Sequence, residues 1–397
     1  MSAREFDVVI YGATGFAGRQ AVRYLDRTAP EGVRWAIGGR SREKLEQIRG
    51  SLRDPRVGLI VADASDPSSL VGMARQARAI ASTVGPFRRY GTPLVEACIE
   101  AGTHYADITG ETVWARSLID TLESRAKAAN VKIVPFSGYD SVPSDLGTLG
   151  IVEHVRATKN VGVRKVEAFH TAKGGFNGGT LATLLDMSEV SAKAFRDPYV
   201  LAPGFEPTPA ARVFDRDPET VTKNETLGVF AAPFLMSAIN TRVVRRSAAL
   251  AAASGHPYGR DFAYQEYWSS RRRMAAMGML AGVGALAAAI STGVGRSMIA
   301  RFGPKPGEGP SDTSMEEGFF ACRYVAEAED GSIVRATMKG EGDPGNKSTV
   351  RFLVEAALSL ANDALPPGAG ILTPATAIGM RLIERCRPHG LSFEINS

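Results

Sequence analysis

The 397-residue sequence predicts an α/β fold, a doubly wound parallel sheet followed by a second α+β domain. Three observations carry this prediction: an apolar run at 6–11, a glycine-rich turn directly behind it, and strand-like and helix-like stretches that alternate afterwards. Such alternation is typical of a parallel sheet covered by helices on both faces. We predict a first domain over 1–137, a second over 138–353, and C-terminal helices over 354–397 that return to the first domain.

The first strand and the turn behind it predict a dinucleotide-binding loop. Residues 6–11 (FDVVIY) are apolar and rich in β-branched residues, as buried parallel strands are. A GxxGxxG motif follows and opens a stretch of helical periodicity, 16–27. In this motif the first glycine takes the tight turn, the second lets the backbone approach a pyrophosphate, and the third lets the helix pack closely, while the helix N-terminus holds the phosphates. The predicted cofactor-binding residues here are Gly12, Ala13, Thr14, Gly15, Phe16 and Gly18.

The remaining elements of the first domain follow in order. Helices are clearest at 41–53 and 112–130. Apolar runs predict five more strands, at 34–38, 57–62, 79–84, 104–108 and 131–136. The whole pattern is that of a Rossmann domain.

The end of the second strand favours NADP(H) over NAD(H). An NAD site usually places a carboxylate there to bind the ribose 2′-hydroxyl. This chain has Gly-Gly-Arg40-Ser41-Arg, with no carboxylate before Glu43. Arg40 can bind a 2′-phosphate through a charge-assisted fork, and Ser41 can add a hydrogen bond while also capping the next helix.

Two further strand ends complete the predicted cofactor site. Asp63 follows the third strand, where an acidic side chain can reach the adenine amino group or can close a surface turn. Val84, Gly85 and Pro86 follow the fourth strand, and their backbone is expected beside the nicotinamide ribose at the carboxyl edge of the sheet.

Composition excludes several classes of protein. The net charge of +5 is mild, and no dense Lys/Arg block with interleaved aromatics indicates nucleic acid. The distant cysteines Cys98, Cys322 and Cys386 are expected to be reduced core thiols of a cytoplasmic protein. No histidine pattern predicts a metal site, no GxSxG elbow indicates hydrolysis, and no secretory signal opens the chain.

The second domain is predicted from a strand at 163–172 and a hairpin of 321–328 and 333–339 about an acidic-Gly turn. The glycine-rich run 174–180 opens a helix to residue 195, either as a flexible substrate-side loop or as a second anion-binding loop. A helix is expected over 354–365.

An uncharged segment of 22 residues, 274–295, is flanked by arginines and rich in Ala and Gly. Three interpretations stay open: a buried helix, a helix that lies on a membrane or lines a lipid channel, and a membrane span. Its small residues would equally suit a homodimer face, and its flanking arginines suit an anionic membrane surface, such as the inner face of the cell membrane.

Nine motifs together resemble the trans-acting enoyl reductase branch of the saccharopine dehydrogenase-like oxidoreductases, over nearly the whole chain. In chain order they are GATGFAGR (12–19), GGRS (38–41), ADAS (62–65), TVGPFRRYG (83–91), YADITGE (105–111), SGYDSVPSD (137–145), NTRVVRRS (240–247), PKPGEGPS (304–311) and GILTPA (370–375). The resemblance implies NADPH-dependent reduction of a carbon–carbon double bond on a large apolar acyl or polyketide chain, free or carrier-bound, in assembly of phthiocerol-type lipids.

Enoyl reduction needs a donor for the charge that develops on the carbonyl oxygen and an acid for the α-carbon. Tyr90, beyond the fourth strand, is the first candidate donor, followed by Tyr139, with Asp140 orienting a neighbour. Packing of Tyr90 and a loop cap by Asp140 are the structural alternatives. Two other functions stay open: a saccharopine-type imine reductase, for which Arg88 and Arg89 could bind a dicarboxylate, and a non-catalytic NADP-binding, membrane-associated protein.

Overall fold

A computed structural model describes residues 4–175, 177–187, 197–305 and 307–396. The first domain alternates strands and helices as the sequence predicts. Its elements are β1 (Phe6–Tyr11), α1 (Phe16–Thr28), β2 (Trp35–Gly39), α2 (Arg42–Arg49), β3 (Gly58–Val61), α3 (Pro67–Ala74), β4 (Ala77–Ser82), α4 (Phe87–Ala101), β5 (His104–Asp107), α5 (Thr112–Ala128) and β6 (Lys132–Val134).

The second part of the chain is built around a mixed sheet. Its elements are α6 (Val142–Lys159), β7 (Val163–Lys173), α7 (Gly178–Met187), α8 (Pro209–Phe214), β8 (Thr222–Asn224), β9 (Val229–Pro233), α9 (Ser237–Ala253), β10 (Ala263–Ser270), α10 (Arg273–Ser291), α11 (Gly293–Phe302), α12 (Asp312–Glu316), β11 (Phe319–Ala328), β12 (Ile333–Glu341), α13 (Thr349–Asn362), β13 (Gly370–Ile371), α14 (Pro374–Ala377), α15 (Arg381–Cys386) and β14 (Leu391–Asn396). The helix expected over 181–195 begins at Gly178, and the predicted part beyond Met187 lies outside the described residues.

The first sheet has the strand order β13-β6-β5-β4-β1-β2-β3, and all of its pairs are parallel. The order reverses between β1 and β4, which is the switch point where open α/β sheets bind ligands. Every residue of β1 is buried, because helices cover both faces of a parallel sheet. This arrangement confirms the predicted doubly wound fold.

The second sheet has the order β14-β12-β11-β7-β10-β9-β8, with only β7 and β10 parallel among the described strands. The predicted hairpin is confirmed, since β11 and β12 pair antiparallel. The C-terminal part contributes to both sheets: α13 packs against β1, β4 and β5, β13 extends the first sheet, and β14 pairs with β12. The C-terminal part of the chain therefore links the two sheets.

The apolar segment forms two exposed helices, α10 and α11. Only Ala276 is buried in α10, and no residue is buried in α11. The interpretation of 274–295 as a buried helix is therefore wrong. Among the described residues, α10 is the one helix whose length and composition would allow it to cross a membrane. The three cysteines, Cys98, Cys322 and Cys386, are buried and unpaired.

Candidate functional site

The glycine loop of residues 12–15 joins β1 to α1 at the switch point of the first sheet. Gly12 has a φ of +88°, and its N–H donates to the Gly38 carbonyl over 3.0 Å. A Cβ at this position would lie 2.7 Å from both Thr83 Oγ1 and Val84 Cγ2. Because both the backbone conformation and the space exclude a side chain, the turn requires glycine here.

The N-terminus of α1 is shaped to receive an anion. A Cβ on Gly18 would overlap the Gly12 carbonyl group, so the helix can approach the loop only through a glycine. A Cβ on Gly15 would meet only the Gly12 oxygen, at 3.4 Å. Within the described residues, the N–H groups of Phe16, Ala17 and Gly18 have no acceptor, and no acidic residue lies in the first turn. Free N–H groups and the positive helix end together suit a pyrophosphate.

Arg40 and Asp63 follow neighbouring strands, β2 and β3, and both charges act on Tyr11. Burial and the charge of Asp63 together raise the pKa of Tyr11 to about 12, while the charge of Arg40 opposes them. Arg40 is exposed and forms no hydrogen bond or ion pair within the described part of the chain. An unpaired guanidinium beside the glycine loop fits the 2′-phosphate of NADP(H).

Ser41 and Asp63 both have local structural partners. The Ser41 hydroxyl accepts from Lys44 N–H at 3.4 Å and caps α2. Asp63 Oδ1 accepts from the N–H and the hydroxyl of Ser65, at 2.9 and 2.7 Å, which lowers the pKa of Asp63. The turn geometry occupies only one carboxylate oxygen, so the adenine contact of Asp63 stays a prediction.

The loop at residues 83–86 lies against the glycine loop and is held by a residue that the sequence analysis missed. Thr83 N–H donates to the Tyr11 carbonyl at 3.0 Å, which joins the ends of β4 and β1. Glu111 is buried, and its carboxylate accepts from the N–H groups of Phe87 and Arg88 at 2.7 and 2.8 Å. Glu111 thereby caps α4 and positions the backbone expected beside the nicotinamide.

The motif at 304–311 also reaches the cofactor side. Arg19 Nη2 donates to the Gly307 carbonyl at 3.0 Å. Gly309 lies on the Phe16 ring so closely that any Cβ would collide with it. The Glu308 carbonyl accepts from Gly178 N–H at 3.0 Å, which ties this loop to the start of α7. The second part of the chain therefore covers the first turn of α1.

A buried polar cluster lies where the second sheet faces the end of β6. His170 of β7 pairs in register with Cys322 of β11 and with Trp268 of β10. Its Nε2 lies 3.4 Å from Glu266 Oε2 and 3.5 Å from Cys322 Sγ. Sequence reasoning missed this pair, because residues far apart in the chain become neighbours only through the strand register.

Glu266 is held by four side chains. Its Oε2 accepts from the hydroxyls of Ser144 at 2.7 Å and Tyr264 at 2.9 Å, and faces His170. Its Oε1 accepts from Asn240 Nδ2 at 2.8 Å. Since Glu266 is fully buried, this set of donors fixes the carboxylate and lets it orient the imidazole.

The cluster perturbs the protonation of its members. Burial alone would lower the pKa of His170, but Cys322 and Glu266 raise it to about 10. Burial, reinforced by the charge of Glu266, raises the pKa of Asp140 to about 6. Burial raises the pKa of Tyr139 well above its usual range, so this phenol stays protonated at neutral pH.

Two donors of this cluster have no hydrogen-bond partner among the described residues: His170 Nδ1 and the Tyr139 hydroxyl. A buried polar group without a partner costs about 1–3 kcal/mol, so such groups mark places for a ligand or water. The Tyr139 ring packs on Phe320 at 4.8 Å, and the His170 ring stacks on the half-buried Phe234 at 4.7 Å. The donors therefore lie within an aromatic wall.

The predicted catalytic residues are distributed over two places. Tyr139 and Asp140 lie beside the buried cluster, and Asp140 is partly exposed. Tyr90 lies in the first turn of α4 and is 44% exposed. A Cβ on Gly110 would lie 3.0 Å from Ile239 Cδ1, which shows that the start of α9 closes on the loop after β5.

The motifs at 137–145, 240–247 and 370–375 meet at Asp145, where they form a hydrogen-bond network that stabilises the fold. Its carboxylate accepts from the Ser247 hydroxyl at 2.5 Å and from Ala375 N–H at 2.8 Å, and Ser247 contacts Thr373 at 2.6 Å. Asp145 is completely buried, and burial raises its pKa to about 7. The network joins α6, α9 and α14.

The arginines of the motif at 240–247 are also structural. Arg242 is buried against Asp217 at 2.6 Å, and Arg245 is buried against Asp215 at 3.1 Å. Arg246 donates to the carbonyls of Leu201 and Ile371. These pairs fix α9 between the first sheet and the segment before β8.

The comparisons with known proteins agree with this geometry. The sequence profile of the saccharopine dehydrogenase NADP-binding domain matches residues 8–134. A protein of Mycobacterium tuberculosis (H37Rv), provisionally named a trans-acting enoyl reductase, is 37% identical over 98% of this chain and 97% of its own length. A trans-acting enoyl reductase of Mycobacterium bovis (BCG) is 36% identical over 96% of both chains. Saccharopine dehydrogenase from Saccharomyces cerevisiae has the same fold, with a TM-score of 0.54, 12% identity, and coverage of 99% of this chain and 100% of its own.

Proposed function

This chain belongs to the family of the mycobacterial trans-acting enoyl reductases and is an NADP-dependent oxidoreductase, and we propose that it saturates a carbon–carbon double bond of a lipid or polyketide acyl chain. The observation that carries the proposal is the pair of buried donors, the Tyr139 hydroxyl and His170 Nδ1, which have no hydrogen-bond partner among the described residues and whose rings contact Phe320 and Phe234. Aromatic rings beside a small number of fixed polar groups suit an apolar acyl chain that carries one carbonyl group.

The glycine loop, the start of α1 and Arg40 would hold the cofactor's phosphates, and bound NADPH supplies the hydride that the β-carbon of the substrate accepts. Negative charge then develops on the substrate carbonyl oxygen. The Tyr139 hydroxyl would donate a hydrogen bond to this oxygen, because its raised pKa keeps its proton in place.

His170 would give the proton that the α-carbon needs. Its raised pKa keeps the imidazole charged at neutral pH, and Nδ1 is the ring nitrogen that has no hydrogen-bond partner among the described residues. Glu266 stabilises the imidazolium and fixes its orientation through Nε2. The neutral imidazole would recover its proton from solvent beside the partly exposed Asp140.

The proposed reaction also indicates a class of substrate and a location in the cell. We infer a role in lipid biosynthesis, with an enoyl thioester presented free or on a carrier protein. We also infer a cytoplasmic enzyme that works peripherally at the inner face of the membrane, where apolar acyl chains are available.

Steady-state reduction of enoyl thioesters with NADPH tests the proposed residues. We expect His170→Gln and Tyr139→Phe to lower kcat roughly 10²–10⁴-fold, the usual range for loss of a positioned acid or an oxyanion donor. NADPH affinity should stay within about two-fold, since neither residue lies at the glycine loop. Tyr90→Phe is the matched comparison, because this phenol was the first candidate in sequence and lies exposed on α4. A large loss with Tyr90→Phe and none with the other two would assign the donor to Tyr90 instead.

A further inference from the structure

The helical hairpin formed by α10 and α11 presents an unusual surface. Both helices are exposed along almost their whole length. On α11 the apolar residues Val294, Met298 and Phe302 recur every four positions and so form one stripe, while Met274 and Met277 are exposed on α10. Met274 and Phe302 are each 77% exposed. Grouped apolar side chains with this exposure mark an interaction surface more often than an ordinary soluble surface.

The hairpin also carries the positive charge of the protein. No Asp or Glu occurs between Glu266 and Glu308. The same stretch contains six basic residues, Arg271, Arg272, Arg273, Arg296, Arg301 and Lys305. Because the whole chain has a net charge of +5, the rest of the chain is slightly acidic. Exposed apolar side chains among unopposed cations are typical of elements that bind anionic lipid surfaces.

The hairpin touches both walls of the candidate site. Its first helix packs on β9 and β10, the strands that precede Phe234 and carry Trp268. Its second helix contacts α7, which contacts α1 next to the glycine loop. Gly303, at the end of α11, lies directly on Leu181 of α7. The hairpin therefore contacts the strands beside the aromatic residues of the candidate site and, through α7, lies next to the helix that follows the glycine loop.

We propose that the α10–α11 hairpin docks the protein on anionic lipid membranes and so brings the candidate site close to acyl substrates in the membrane. The apolar stripe enters the boundary of headgroups and acyl chains, and the arginines bind lipid phosphates. A second copy of the chain is a poorer occupant, since two identical hairpins with their flanking residues 271–272 and 303–307 would bring twelve cations together without a carboxylate. The nature of the delivered substrate rests on the proposed function, whereas the docking itself does not.

Co-sedimentation with vesicles of phosphatidylcholine, with and without phosphatidylglycerol, tests the docking. The full chain should bind the anionic vesicles, bind the neutral ones weakly, and dissociate as salt is raised. Replacing Arg271, Arg272 and Arg273 with Ala should weaken binding about a hundred-fold, at about five-fold for each cation. The double variant Met298→Asp, Phe302→Asp should bind at least ten-fold more weakly.

The matched control is Ile333→Asp with Arg335→Ala on β12, which removes the same two kinds of exposed side chain elsewhere and should leave vesicle binding unchanged. Anionic vesicles should also raise turnover of a long-chain enoyl thioester several-fold in the wild type but not in the hairpin variants. Turnover of a short soluble enoyl thioester should be equal in all of them, and this reports on the proposed function alone.

The proposal is overturned if the full chain stays in the supernatant with anionic vesicles. It is also overturned if the hairpin variants bind as the wild type does. A wild-type dimer in solution that the Met298→Asp, Phe302→Asp variant converts to a monomer would assign the hairpin to self-association instead.

Discussion

Two glycines of the dinucleotide loop should respond differently to the same added methyl group. A Cβ on Gly18 would overlap the Gly12 carbonyl oxygen and lie 2.7 Å from the carbonyl carbon, whereas ordinary contacts begin at 3.4 Å, so the loop and α1 must separate by more than the contact with the carbon alone requires. Overpacking of this kind costs about 1–3 kcal/mol of unfolding free energy. A Cβ on Gly15 stays at 3.4 Å from its nearest atom and points to the open side, so it costs the fold little.

The expected results are therefore distinct. Gly18→Ala should lose about 1–3 kcal/mol of stability and also bind NADPH more weakly. Gly15→Ala should keep its stability but bind NADPH roughly ten- to a hundred-fold more weakly, the equivalent of one lost charge-assisted hydrogen bond. Urea unfolding and nicotinamide fluorescence titration measure the two quantities on the same samples.

Gly72 supplies the control, because it lies in α3 and a Cβ there meets nothing within 4 Å. Gly72→Ala should gain about 0.5–1 kcal/mol from helix propensity and leave NADPH affinity unchanged. If Gly15→Ala bound NADPH as well as the wild type, the start of α1 would not be the pyrophosphate site.

Three further outcomes follow from single side chains. Arg40→Ala should weaken NADPH binding about ten- to a hundred-fold and leave NADH binding nearly unchanged in fluorescence titrations, because only the 2′-phosphate needs the guanidinium; equal weakening of both would refute this role. Glu266→Gln removes a charge that raises the pKa of His170, so the alkaline limb of the kcat–pH profile should move from near pH 10 toward neutrality, and an unmoved limb would exclude His170 as the acid. The pKa of Asp145 is raised to about 7 from 3.8, so its contribution to stability is full below pH 4 and is lost as the pH rises to 7. Asp145→Asn should remove that part of the pH dependence in urea unfolding, and curves that stay parallel to the wild type would contradict it.

The sequence predicts the first domain well because its signals are local. The fully buried β1 has the continuous apolar run of a parallel strand, and the glycine turn behind it needs no distant contact to be recognised. Arg40 is equally easy to recognise in the sequence as a cofactor-binding candidate, since its position depends only on the end of β2.

The buried cluster could not be predicted in the same way. His170 and Glu266 each occur alone in ordinary strand sequences, and only the parallel register of β7 and β10 places them together. The arginines of α9 give a recognisable motif, but their partners Asp215 and Asp217 become visible only in the tertiary structure.

The environment of the apolar segment 274–295 could not be predicted from the sequence either. Its composition suits a buried helix, a membrane-facing helix or a span equally well, because periodicity records which residues are apolar and not what covers them. The helix break at Thr292 and the exposure of Met298 and Phe302 are properties of the fold.

We propose that the chain transfers a hydride from NADPH to the β-carbon of an enoyl thioester. The most direct measurement is mass spectrometry of the product formed from a lipid enoyl thioester with NADPH deuterated at the nicotinamide C4. We expect a saturated thioester with one deuterium at the β-carbon and one solvent-derived proton at the α-carbon. The proposal would be contradicted if no enoyl thioester gave a deuterated product while an imine substrate gave a deuterated amine under the same conditions.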